Sequence, residues 1–330
     1  RYRILVCVTI LQALMNPIAS LVLIRMNGGT AMMRILGIVG VQICICVPII
    51  VFQFCKGKEF FSKEYWGYAL RIGIPIVPHY LSGIILNQGD RIMIDKMVGK
   101  TEVALYGLAY SIGMLVQLFI SGMNSALTPW MYSKIKKGDI RSMRKVLQLL
   151  SIVVVGIAVA LMLISPEMVL IFGSPKYREA VYVIPPVAAS VFFIFIYNIL
   201  SMPQFYYEKT QFLMAASMAA AGANVVLNFI FIRLFGYIAA GYTTLACYML
   251  YSVGHYIVSK RILVNEGIQE NLMNPGFLLA CSVFLIGASI ICNLIFPYRI
   301  LRYAILLASA GLVFWKKELL QKTMADIRKK

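Results

Sequence analysis

The stretch "HYLSGIILNQGDRIMIDKMVGK", residues 79–100, decides how this chain is read. It opens as an apolar run, takes in Asn87, Asp90, Arg91, Asp95 and Lys96, and returns at once to apolar sequence. The run that contains its first half, 68–89, has the length of about 17–25 residues that a helix needs to cross hydrocarbon. With tilt it extends to Val98. Polar side chains at the end of a membrane-length helix need a partner, a cavity or an interface.

The rest of the chain supports that setting. Of 330 residues, 61% are hydrophobic and 13% charged, and mean hydropathy is +0.82. Soluble domains are about half apolar and a quarter charged. Nine further apolar runs reach spanning length: 4–24, 35–55, 103–127, 146–164, 181–201, 211–232, 237–258, 277–295 and 299–315. The ten-residue alternation of a membrane barrel is absent. The sequence predicts an all-α polytopic membrane protein with ten transmembrane helices. Arg1 reads as an internal start, so the chain is expected to be a fragment of a longer protein.

All seven cysteines lie in apolar runs. Cys44 and Cys46 would point about 200° apart on a helix, so neither a disulfide nor a zinc site is expected. The net charge of +18 does not indicate nucleic acid, because the basic residues alternate between loops. With both ends of the chain in the cytoplasm, 21 Lys and Arg fall on the cytoplasmic side and 10 on the other. These clusters are expected to meet lipid headgroups.

An internal repeat is visible at an offset of 208 residues. Asn16, Ile24, Arg25, Gly28 and Ala31 match Asn224, Ile232, Arg233, Gly236 and Ala239. The offset makes the unit six helices and the repeats parallel. The expected division is 1–58 as the last two helices of a first lobe, 59–262 as a complete second lobe, and 263–330 as two added helices with a basic tail.

Candidate site residues come from helix faces. In the third span His79, Gly83, Asn87 and Asp90 share an arc of about 80°, with Arg91 on its flank and Arg71 just beyond it. Pro75 and Pro78 are expected in the first turns. Asp90 and Arg91 are expected to neutralise each other or to line water, and Asp95 is in reach of Arg91. In the fourth span Tyr106, Tyr110, Gln117, Ser121 and Asn124 share an arc of about 60° over the full depth of the membrane. Such a face cannot meet lipid. Its aromatics and amides suit a glycan. Asn224 and Asn228 share a face of the seventh span with Ser217. Tyr248, Tyr251 and His255 of the eighth are expected to mark a membrane interface.

No GxxxxGK[ST] motif, DxD motif or nucleophile–His–acid set is present, and His79 and His255 are the only histidines. The chain is therefore expected to be a non-enzyme without cofactor or metal.

The segment "KEYWGYALRIGIPIVPHYLSGIILNQGDRIMIDKMVGKTEVALYGLAYSIG", residues 63–113, resembles the polysaccharide transporter (Wzx-type oligosaccharide flippase) family. That family lies in the multidrug/oligosaccharidyl-lipid/polysaccharide exporter superfamily. The likeness rests on Tyr65-Trp66, Pro75, the run Pro78 to Ser82, Asn87, the run Asp90 to Ile94, Gly99 and Tyr106, then Asn124 and Pro129-Trp130. Elsewhere it is one of pattern. The resemblance implies MATE-like helical bundles: two lobes around a central cavity, plus two extra helices. It implies alternating-access transport of a lipid-linked oligosaccharide, typically on undecaprenyl diphosphate, across the bacterial inner membrane for capsule or O-antigen synthesis. Other polysaccharide assembly proteins are candidate partners. Arg71 and Arg91 are the candidates to meet the diphosphate, and Asp90 or His79 to couple an ion gradient. The alternatives are a MATE-type multidrug antiporter, a membrane-embedded glycosyltransferase or polymerase, and a non-transporting scaffold.

Overall fold

The computed structural model describes residues 2–26, 30–58 and 61–315. Among them there is no strand. The helices are α1 (Tyr2–Met26), α2 (Ala31–Gly57), α3 (Lys63–Met97), α4 (Lys100–Gly113), α5 (Leu115–Lys136), α6 (Ile140–Phe172), α7 (Ile184–Tyr206), α8 (Thr210–Phe235), α9 (Ile238–Asn265), α10 (Pro275–Ile295) and α11 (Arg299–Trp315). A 3-10 segment, Pro175–Val183, leads into α7. With α4 and α5 taken as one interrupted span, these are the ten expected helical stretches. Eight stretches are long and apolar enough to cross a membrane among the described residues. The other two are α9, which buries Thr243, Thr244, Ser252, His255 and Ser259, and α11, described over 17 residues.

Two compact units divide between Leu70 and Arg71, inside α3. In the first, α1 packs on α2. Thr30, in extended backbone, precedes α2, and Lys58 closes it in left-handed conformation.

The second unit is built on α7. This helix is apolar over most of its surface, and 18 of its 23 residues are buried, as expected of a helix at the centre of a bundle. Pro185 and Pro186 occupy its first turn, where the missing N–H groups need no partner. Around it pack α4, α5, α6, α9 and α10, while α8 lies mainly on α9. Phe192, Phe195 and Ile196 fill the centre.

Two details position the site. Pro75 and Pro78 lie more than two turns into α3, because the helix begins at Lys63. The expectation that they sit in its first turns is corrected. Each removes one internal hydrogen bond, freeing the carbonyls of Arg71 and Ile74. The fourth span breaks at Met114 without a proline. Just before the break, a Cβ on Gly113 would lie 2.6 Å from Val187 Cγ1, so α4 meets α7 at backbone distance only because that residue is glycine.

Candidate functional site

The site lies wholly within the second unit. Helices α3, α4, α5, α7 and α9 line a cavity of about 790 Å³. Its wall is mixed: Asn87 and Arg91 from α3, Tyr110 from α4, Gln117 from α5, Asn198 from α7 and Tyr248 from α9. Among the described residues no Asp or Glu lines it.

Behind the wall is a polar core that does not reach the cavity. Asp90 is 0% exposed. Its carboxylate accepts from Tyr106 Oη, from Asn228 Nδ2 at 2.5 Å and from Thr244 Oγ1 at 2.7 Å. Asn228 Nδ2 also donates to Asn224 Oδ1 at 3.2 Å, and Thr243 donates to Asn228 Oδ1. Four helices, α3, α4, α8 and α9, thus meet on one carboxylate. Burial would be costly for a bare carboxylate, and three donors offset much of that cost.

Arg91 turns the other way. Its guanidinium lies 5.0 Å from the Tyr110 ring centroid and donates to Gln88 Oε1. Among the described residues it makes no ion pair with Asp90 or Asp95. The expected Asp90–Arg91 neutralisation is therefore corrected: one residue step along α3 rotates the side chain by about 100°, enough to separate core from cavity. The Arg91–Asp95 pair is corrected too, because Arg91 is held by Gln88 and Tyr110 instead.

Asn87 connects the layers. Its Oδ1 accepts from Tyr110 Oη at 2.7 Å and Tyr248 Oη at 3.2 Å, and its Nδ2 donates to Gly83 O at 2.7 Å. Further down α3, His79 Nδ1 lies 2.5 Å from Ser217 Oγ and 3.0 Å from Tyr251 Oη. Tyr248 and Tyr251 are buried and face this site, so the interface-belt reading of both is corrected. His255 is 0% exposed, its Nδ1 2.8 Å from Gln204 Nε2 and its ring 4.5 Å from that of Tyr251. It is a core histidine, not an interface one.

Of the eleven candidates, the structure places His79, Asn87, Arg91, Tyr110 and Gln117 on the cavity wall. Asp90, Tyr106, Asn224 and Asn228 form the buried core behind it. Arg71 is exposed on α3 and Asn124 half-buried on α5, both off the wall. The full-depth stripe of the fourth span is thus interrupted. Tyr106 enters the core, Tyr110 and Gln117 line the cavity on either side of the break at Met114, and Ser121 is exposed. Helix faces alone did not single out Thr244, Tyr197, Asn198 and Ser201. A signal existed for the last three: Tyr-Asn-x-x-Ser interrupts an otherwise apolar run at helical spacing.

These features define a class. The chain is a helical, multi-pass membrane protein with a polar cavity inside a helix bundle. Two families match it: polysaccharide biosynthesis protein over residues 1–136 and MatE over residues 75–230. Both matches include the α3–α5 side of the cavity. A Haemophilus influenzae protein named for the Lsg locus is 28% identical over 172 residues, covering 49% of this chain and 41% of the relative. An uncharacterized membrane protein of the same organism is 29% identical over 167 residues, covering 47% of this chain and 40% of the relative. The matched stretches thus span about two fifths of each relative's length. No solved structure matches the chain. Both matched families overlap residues 63–113, the segment that carries the resemblance read from the sequence.

Proposed function

We propose that the intact protein moves a lipid-linked oligosaccharide across a bacterial cytoplasmic membrane, for polysaccharide of the capsule or O-antigen type. The carrier lipid is a polyprenyl diphosphate. Residues 59–262 act as one lobe of an alternating-access pair, 1–58 as the end of the other, and both ends of the chain face the cytoplasm. The observation that carries this reading is the cavity wall. Tyr110, Tyr197 and Tyr248 offer ring faces for sugar rings, Asn87, Gln117 and Asn198 offer amides for hydroxyls, and Arg91 offers a cation for the diphosphate.

The MatE match favours a second reading, a multidrug antiporter. Cationic drugs call for an acid on the wall. Here the acid, Asp90, is sealed behind it, and the charge that lines the cavity is Arg91. The glycan reading therefore fits better.

The test is export of lipid-linked glycan in the host, with Arg91→Ala in the intact protein. Loss of export at normal protein level supports the reading. Normal export removes Arg91 from the substrate site, and unchanged glycan export with altered drug resistance favours the antiporter.

A further inference from the structure

Away from the central cavity, α7, α9 and α10 enclose a second space of about 260 Å³. Phe192 of α7 is at its base, and Val253 of α9 and Leu279 of α10 form its rims. Both rim side chains are exposed, so the slot opens sideways. On a spanning helix bundle that direction is bilayer hydrocarbon. Two serines line the slot, but each hydroxyl donates into its own helix: Ser252 Oγ to Met249 O at 2.8 Å and Ser282 Oγ to Leu278 O at 2.7 Å. The slot therefore presents little besides carbon.

One end differs. Tyr256 lines it there, with a buried hydroxyl that has no partner. Four residues on, Lys260 continues the same face of α9 and is exposed. Arg144 of α6 donates to Asn271 O at 2.7 Å and faces Glu270 at 3.7 Å. Glu270 offsets Arg144. Lys260 makes no ion pair among the described residues. Helix α10 also starts here, capped by Asn274, so its positive end adds to the field. An apolar slot would take any chain; a cation, a helix N-terminus and a spare hydroxyl at one end select an anionic headgroup.

We propose that this slot binds an anionic glycerophospholipid, with one acyl chain between α9 and α10 and the phosphate at Lys260 and Tyr256. The proposal does not depend on the transport reading, since it concerns a different face of the bundle.

The test is native mass spectrometry of the 330-residue chain in detergent, incubated with equal amounts of phosphatidylglycerol and phosphatidylcholine. The wild type is expected to retain phosphatidylglycerol about fivefold over phosphatidylcholine, the factor that one lysine contributes near anionic lipid. Lys260→Gln should bring the ratio close to one. Ser282→Phe, which puts a ring into the slot, should lose both lipids while keeping its helical circular dichroism. Equal retention by the wild type overturns the proposal, as does undiminished phosphatidylglycerol in Ser282→Phe. Displacement of phosphatidylglycerol by equimolar undecaprenyl phosphate would assign the slot to a prenyl chain and overturn it also. If Ser282→Phe does not fold, the surface variant Lys260→Gln decides, and an unchanged ratio there rejects the headgroup site.

Discussion

Asp90 and Arg91 are neighbours in sequence and do not touch the same surroundings. Asp90 accepts three hydrogen bonds in the dry core, while Arg91 lies over the Tyr110 ring on the cavity wall. One residue step separates a structural carboxylate from a cation available to a ligand.

Asp90 should therefore matter first for stability. Asp90→Leu leaves the donors of Tyr106, Asn228 and Thr244 without an acceptor. At about 1–3 kcal/mol for each orphaned group, it should unfold in detergent at clearly lower temperature than wild type. Asp90→Asn keeps an acceptor oxygen and should fall between the two. Equal melting of Asp90→Leu and wild type would remove the core from this account.

Arg91 should show the reverse pattern. It is half-exposed and makes no ion pair among the described residues, so Arg91→Ala should change melting by less than about 0.5 kcal/mol, as surface substitutions do. Glycan export in the intact protein should fall about tenfold or more. Arg91→Lys should restore only part of it, because an ammonium lacks the planar fork that pairs with two phosphate oxygens. Full rescue by lysine would mean that charge alone is needed.

Gln117 and Asn198 face one space from different helices. Single cysteines at 117 and 198, in a cysteine-free background, should react with a membrane-impermeant thiol reagent, whereas one at Ile120, fully buried a turn away, should not. Labelling at 120 but not at 117 would invert the wall. The applied side that labels 117 also reports which way the cavity opens.

Helix α11 is tied to α6 by a forked ion pair. Arg302 Nη1 and Nη2 lie 2.8 and 2.9 Å from the Glu167 carboxylate, Tyr303 Oη donates to the same group at 2.9 Å, and Nη1 also donates to Leu163 O at 2.6 Å. Arg302 is 3% exposed and Glu167 26%. Removing one partner, as in Glu167→Leu, should cost about 3–5 kcal/mol, and Glu167→Leu with Arg302→Leu should recover most of it. The check is a double-mutant cycle on thermal unfolding; additive losses would show that the pair is not coupled.

The sequence by itself determined whatever composition and helical period dictate. Ten apolar runs, each near bilayer length, leave a helix bundle as the architecture, because an unpaired backbone cannot cross hydrocarbon. The polar arcs of α3 and α8 were likewise legible, since helical phase alone puts Asn87 with Asp90 and Asn224 with Asn228. Phase says which residues share a face, but not what the face meets. Only tertiary packing turned Asp90 into the acceptor for Tyr106, Asn228 and Thr244, drew His255 into the core, and brought Asn198 of the most buried helix onto the cavity wall. It also broke the fourth span at Met114, where close contact between Gly113 and Val187 coincides with the end of α4, and distributed one polar stripe between the core (Tyr106), the cavity wall (Tyr110 and Gln117) and the exposed surface (Ser121). Those outcomes depend on partners on other helices, as far as 154 residues away for Asp90 and Thr244, and a local pattern carries no record of them.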